Sequence, residues 1–94
     1  EGENEHARRF FARAAALDPT FARAHAGLAF THWQDVFQGW TDRAGGVARA
    51  VAAAGDSLRA DDRCPAAHWA MARALWLQGR LDPAVAELEQ AVEP

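Results

Sequence analysis

The stretch ARRFFARAAALDP, residues 7–19, carries the pattern on which the fold prediction depends. Its apolar residues recur at steps of three and four, which places them on one face of an α-helix. They are Ala7, Phe10, Phe11, Ala14 and Leu17. Asp18 and Pro19 are expected to end this helix and begin the next, because aspartate is a good N-cap and proline suits a first helical turn.

The same periodicity continues to the end of the chain. Apolar stripes alternate with Gly39, Gly79 and further Asp and Pro residues, and no stretch alternates with the period of two that is typical of strands. We predict an all-α protein whose short loops make neighbouring helices antiparallel. The five helices are expected at about 4–17, 20–38, 43–60, 65–78 and 83–93.

Composition excludes several classes of function. The 94 residues form one domain, half of them apolar and about a quarter alanine, the best helix former. The net charge is −3, and the short basic cluster of Arg8, Arg9 and Arg13 lies beside three glutamates, so we interpret it as a solvated helix face. No basic surface for nucleic acid or for an anionic membrane is expected.

Cysteine use and the chain ends give weaker information. Cys64 is the only cysteine, so no internal disulfide is possible, and its place before Pro65 is typical of an inert helix-start residue. The sequence has no signal peptide and no apolar run long enough to span a membrane, so we expect a cytoplasmic protein. It begins with Glu1 and its first methionine is Met71, which suggests a piece of a longer protein.

An internal repeat underlies the periodicity. Three segments share one spacing. A small residue is followed four positions later by a second apolar residue, which is large in the first and third segments and small in the middle one. Another small residue follows three positions after that. The segments are 7–19, 50–61 and 84–94. Small residues let two helix backbones approach closely, and a larger side chain fills the groove beside them. None of these helices buries its stripe alone, so stacking of helices must do so.

These motifs resemble the tetratricopeptide repeat (TPR), a pair of helices A and B that stacks into an α-solenoid. Helix A of this family resembles two segments of the chain, and Gly79-Arg80-Leu81 is similar to the family's turn between helices A and B. The matching helix A residues are His25, Leu28, Ala29, His32, His68, Met71, Ala72 and Leu75. The resemblance implies about two and a half repeats in a single TPR-like domain, 1–94. Residues 1–19 are then a half repeat (helix B), 20–64 a full repeat and 65–94 nearly another.

The middle repeat departs from the family because it is about nine residues too long. The excess lies within residues 32–46, which contain Trp33, Phe37 and Trp40. One interpretation is a longer helix A with a corner anchored by tryptophan, since aromatic residues in a loop usually fold back onto the core. The other is a protrusion that contacts a partner.

Residues for catalysis or metal binding are not expected. His25 and His32 are seven residues apart, roughly 10 Å along a helix, which is too far for both to ligate one ion. The spacing of the histidines and the cysteine matches no zinc site, Gly45-Gly46 lacks the strand and lysine of a phosphate loop, and no nucleophile has a base nearby in sequence. We therefore predict no enzyme activity, no cofactor and no metal.

The resemblance implies a concave groove lined by helix A. Its lining positions correspond to Arg23, Ala26, Phe30, Trp33 and Gln34 in one repeat and to Ala66, Trp69, Arg73, Trp76 and Leu77 in the next. Aromatic residues and arginine dominate binding energy at interfaces. Six of these positions are the expected binding residues: Arg23, Phe30, Trp33, Trp69, Arg73 and Trp76.

The predicted groove differs from that of the chaperone-binding members of the family. Chaperone-binding members of the family clamp a terminal carboxylate with lysine and asparagine, and Ala26, Phe30 and Ala70 stand at such places here, which argues against a clamp of that kind. Trp33 and Trp76 also fit a second role, packing against neighbouring repeats.

The long middle repeat, with Gly39-Trp40 in its insertion, resembles the TPR arrays of multidomain bacterial regulators. The resemblance implies a protein–protein interaction module for a peptide or helix, within a larger bacterial regulatory or scaffold protein. One alternative is a structural spacer or self-association segment, including a homodimer through exposed repeat ends. Another is an accessory TPR region of a nucleotide-cyclase-type protein or a transcriptional regulator. So short an array is expected to dimerise or to be marginally stable.

Overall fold

The computed structural model describes residues 1–92, and its regular secondary structure within that range is entirely α-helical. The helices are α1 Gly2–Leu17, α2 Ala22–Phe37, α3 Arg43–Ala60, α4 Pro65–Leu77 and α5 Leu81–Val92. The prediction of an all-α chain with five helices is therefore confirmed. The predicted end of the fifth helix, at residue 93, lies outside the described residues.

The predicted start of the second helix was wrong, because Asp18 does not cap it. The Asp18 Oδ1 atom accepts a hydrogen bond from the backbone N–H of Thr20 at 3.0 Å. This turn keeps Pro19 and Thr20 outside the helix, which begins at Ala22. The aspartate thus shapes the loop rather than the helix end.

The start of the fifth helix differs in the opposite direction. α5 begins at Leu81, so Asp82 and Pro83 lie inside its first turn, where a missing N–H and a negative charge are both tolerated. α3 and α4 begin where expected, at Arg43 and at Pro65, and α4 has Cys64 at the N-cap and Pro65 in the first turn.

Contacts between named residues give the relative directions of the helices. Asn4 bonds Asp35 and Arg8 bonds Thr31, so α1 and α2 are antiparallel. The Ser57 Oγ atom donates to the Ala22 carbonyl oxygen at 2.7 Å, which joins the end of α3 to the start of α2. Phe30 contacts Arg73 and Trp33 contacts Trp76, so α2 and α4 lie side by side and run in the same direction. α3 packs against both α2 and α4, and α5 packs against α4.

Alanine supplies most of the buried apolar side chains in the described part of the chain. The central core cluster includes Ala29 of α2, Ala50 and Ala54 of α3, and Ala70 and Ala74 of α4. Side chains this small let the helix axes come close, so the interior is filled largely by backbone and methyl groups. Many large apolar side chains are consequently left at the surface.

The loop between α1 and α2 and the loop between α3 and α4 share their hydrogen bonds at a separation of 43 residues. In each, an aspartate after the helix, Asp18 or Asp61, accepts a bond from the backbone N–H two residues later. A histidine, His25 or His68, places Nε2 near the carbonyl oxygen six residues earlier, at 2.9 and 2.5 Å. The repeat seen in the sequence is therefore also a repeat of local geometry.

The extra residues of the middle segment are distributed over two helices and their loop. α2 has 16 residues, whereas α4 has 13. α3 begins seven residues before Ala50, whereas α5 begins three residues before the corresponding Ala84. Both helices are thus longer by about one turn, and the loop between them leaves Trp40 37% exposed.

The basic cluster at the start of the chain does not behave as one surface. Arg9 and Arg13 are exposed, but Arg8 forms an ion pair with the buried Asp35 of α2. The Asn4 Nδ2 atom donates to the same carboxylate at 2.8 Å. The interpretation of Arg8 as part of a solvated face was therefore wrong, because its side chain links α1 to α2.

Gly27 is expected to be essential for the packing of α1 on α2. A Cβ atom at this position would lie 2.6 Å from the Phe11 ring, too close for any real contact. We expect Gly27→Ala to lower the free energy of unfolding by about 1–3 kcal/mol, measured by urea denaturation, because the ring must shift.

Gly55 provides the matched control within α3. The nearest atom to its added Cβ would be the flexible end of Arg59 at 3.4 Å. Gly55→Ala is expected to raise the free energy of unfolding by about 0.5–1 kcal/mol through the better helix propensity of alanine. Equal effects of the two substitutions would contradict the proposed role of the Phe11 contact.

His68 ties α4 to Glu87 of α5 and to Asp62 of the loop between α3 and α4. Its Nδ1 lies 2.6 Å from a carboxylate oxygen of Glu87, and its Nε2 faces the Asp62 carbonyl oxygen. Burial alone would lower the pKa of His68, but the hydrogen bonds to Glu87 and Asp62 outweigh it and hold the pKa above its ordinary value. An imidazole with oxygen acceptors on both nitrogens is best satisfied when both carry protons.

We therefore expect the contribution of this contact to stability to depend on pH. A raised pKa in the folded state stabilises fully below the ordinary histidine value of about 6.5, and this stabilisation is lost as pH rises through the folded-state pKa. Glu87→Gln should lower the free energy of unfolding by about 1 kcal/mol at pH 6 and by less at pH 8.5. Urea denaturation at both pH values, with the exposed Glu89→Gln as control, measures this difference.

Candidate functional site

A groove of about 660 Å³ runs between α1, α2 and α4. It is lined by Phe11, Phe21, Arg23, Ala26, Gly27, Phe30, Ala66, Trp69 and Arg73. Four of the six expected binding residues are therefore brought together in one concavity: Arg23, Phe30, Trp69 and Arg73. The groove has space at its base because Ala26, Gly27 and Ala66 are small.

Arg73 lies between two aromatic rings at the edge of this groove. Its guanidinium carbon is 5.1 Å from the centre of the Phe30 ring and 5.7 Å from the centre of a Trp69 ring. Trp69 and Arg73 are four residues apart on α4, so they lie on one face, and Phe30 comes from the parallel α2. Cation–π contacts of this kind hold the guanidinium in place and leave its N–H groups available at its edge.

The aromatic rings of the groove are unusually exposed for side chains of their size. Phe30 is 39% exposed and Trp69 43%. Their exposure follows from the alanine-rich core, which has no space for them. Such partly exposed aromatic residues beside arginine are the composition that dominates binding energy at protein interfaces.

Trp33 and Trp76 lie on a different surface. They line an apolar cleft of about 380 Å³ between α2, α4 and α5, and Trp69 and Arg73 form the ridge that separates it from the groove. Trp33 stacks on Phe30 at 5.9 Å and on Phe37 at 4.9 Å between ring centres, and lies 6.3 Å from Trp76. The expected binding residues thus form two adjoining surfaces.

The repeat explains this cleft. Its residues on α4, which are Trp69, Ala72, Arg73 and Trp76, lie 43 positions after Ala26, Ala29, Phe30 and Trp33 of α2. Its residues on α5, which are Leu81, Ala84, Val85 and Leu88, lie 34 positions after Val47, Ala50, Val51 and Ala54 of α3. Those earlier positions form the surface of α2 and α3 on which α4 packs. The geometry of Trp76 therefore fits helix packing, the second role considered for it.

Some residues predicted to line the groove lie elsewhere, and two residues that do line it were not predicted to do so. Gln34 is not in the groove, and Leu77, which the resemblance placed there, is buried in the core with 5% exposure. Phe11 and Phe21 line the groove but were assigned only to helix stripes, because their position depends on how α1 crosses α2.

The chain matches no known protein-family model, and no curated protein matches it. Among residues 1–92, no group of three or more potential metal-ligating side chains comes together. None of the helices in the described range has the length and apolarity needed to cross a membrane.

Trp33 and Trp76 of the cleft are expected to differ in their effect on stability. Trp33 is half-buried between two phenylalanines, whereas Trp76 is 50% exposed. Trp33→Ala should lower the free energy of unfolding by about 3 kcal/mol, and Trp76→Ala by about 1 kcal/mol. Urea denaturation followed by circular dichroism measures both, and equal losses would contradict the assignment of Trp33 as the structural member.

Proposed function

We propose that this chain is a protein-interaction module of the TPR type, in which the groove between α1, α2 and α4 binds a polypeptide segment. The observation that carries the proposal is Arg73, held between the exposed rings of Phe30 and Trp69 on the groove wall. A concave surface with exposed aromatic residues and oriented donors suits a peptide with apolar anchors.

The solenoid arrangement is part of the same proposal. Its support is the repetition of loop geometry after 43 residues, together with the parallel placement of α2 and α4 as successive A helices. On this view residues 1–19 are a B helix, 20–64 an A–B pair and 65–94 the next pair. Such a module would serve a larger regulatory or scaffold protein.

Self-association is the second candidate, favoured by exposed apolar side chains at both ends of the helix array. Phe10 and Leu17 of α1 are 68% and 80% exposed, and Leu81, Val85 and Val92 of α5 are 58%, 54% and 73% exposed. A contact between such ends of two copies would bury these side chains.

The test compares partner capture from host lysate by two matched triple variants. Phe30→Ala/Trp69→Ala/Arg73→Ala removes the groove side chains, and Phe10→Ala/Trp40→Ala/Arg13→Ala removes the same residue types from exposed positions elsewhere. We expect the first variant to lose a captured protein by a factor of ten or more, and the second to retain it. Circular dichroism checks that both variants remain helical.

Each other outcome has a definite meaning. Loss of the captured protein only in the second variant would place the binding surface on α1 or in the α2–α3 loop and contradict the groove. Equal capture by both variants would contradict it as well. Recovery of the chain itself and nothing else would favour self-association.

A further inference from the structure

We infer that the ligand of the groove is an acidic peptide segment, in which an Asp or Glu side chain lies close to an apolar one. The inference rests on the proposed function of the groove and adds the chemistry of its occupant. The argument depends on the charges that line the groove, on the state of its arginines and on the shape of its floor.

The charge of the groove is opposite to that of the whole protein. The chain has thirteen acidic residues against ten basic ones and a net charge of −3. Yet both charged residues that line the groove are arginines, Arg23 from α2 and Arg73 from α4. Because salt screens charges beyond about 10 Å, a ligand inside the groove responds mainly to these two cations.

Neither arginine has an acidic partner within the described residues. Other arginines do: Arg8 pairs with Asp35, Arg59 with Asp56, and Arg49 lies 4.0 Å from Asp42. Arg9 and Arg13 also lack such partners, but they lie on the open face of α1. In the groove, a guanidinium flanked by Phe30 and Trp69 is partly shielded from water, which strengthens its attraction for a carboxylate.

The rest of the lining is apolar except for the indole N–H of Trp69, and it offers no hydrogen-bond acceptor among its side chains. Phe11 and Phe21 form one wall, and Ala26, Gly27 and Ala66 leave a depression beside Phe30. An aromatic or aliphatic side chain fits there while a neighbouring carboxylate reaches Arg73 or Arg23. The lining side chains that carry hydrogen-bond donors are Arg23, Arg73 and Trp69, none of them carries an acceptor, and the two charged ones are cationic, so the groove favours an acceptor that is negatively charged.

Selection from a random dodecapeptide library displayed on phage tests the inference with the whole chain as bait. We expect recovered peptides to be enriched in Asp or Glu next to an aromatic or aliphatic residue. A recovered peptide, resynthesised with both ends capped, should bind about tenfold more weakly when its acidic residues are replaced by amides. Its affinity should also fall as sodium chloride is raised.

Charge reversal provides the matched comparison. Arg23→Glu/Arg73→Glu should abolish the enrichment in acidic residues, whereas Arg9→Glu/Arg13→Glu, with the same change in net charge outside the groove, should preserve it. Arg23 is exposed, so Arg23→Glu alone keeps the test valid if the double variant fails to fold. Loss of acidic enrichment in both double variants would attribute it to overall charge and overturn the inference.

The experiment separates this inference from the function on which it rests. Peptides that require Phe30 and Trp69 but show no acidic enrichment would overturn the acidic ligand and leave the groove as a binding site. Recovered peptides that are indifferent to Phe30→Ala/Trp69→Ala, or a library that yields no binder, would overturn both.

Discussion

Close packing of helices through alanine is the constraint on which the rest of this structure depends. Residues such as Ala50, Ala54 and Ala74 are almost fully buried, and the helices meet through their methyl groups. The helices pack closely in such an interior, which leaves little space for large side chains. The tryptophan and phenylalanine side chains therefore lie at the margins of the core. The surface chemistry of the protein is thus a consequence of its core.

The margins fall into two surfaces because α1 and α5 pack on opposite sides of α2 and α4. These two helices lie side by side, and Trp69 and Arg73 of α4 form the ridge between the two surfaces. On one side of the ridge α1 closes a groove that contains arginine. On the other side α5 forms an apolar cleft that corresponds to the surface on which α4 itself packs. The first has the polarity of a recognition site, and the second has the character of an interior surface.

Periodicity alone predicted the class of fold and the number of helices, because amphipathic spacing and alanine content are local properties. Helix ends were less predictable, since the hydrogen bond from Thr20 to Asp18 competes with capping and sequence does not reveal which prevails. The network of Arg8 with Asp35 joins residues 27 positions apart, so its existence depends on the crossing of α1 and α2. For the same reason the expected binding residues could be named as a set, whereas their division between groove and cleft required the three-dimensional arrangement.

The shared geometry of the two helix–helix loops has a consequence for how such a chain can change in evolution. Two aspartates that form the same turn, Asp18 and Asp61, lie 43 positions apart. Duplication or deletion of the unit that this spacing defines would join one such turn to another, so both junctions would keep their local hydrogen bonds. The array can therefore gain or lose length in whole units without a new connection having to arise, and each added unit would bring its own exposed wall of side chains for selection to act on.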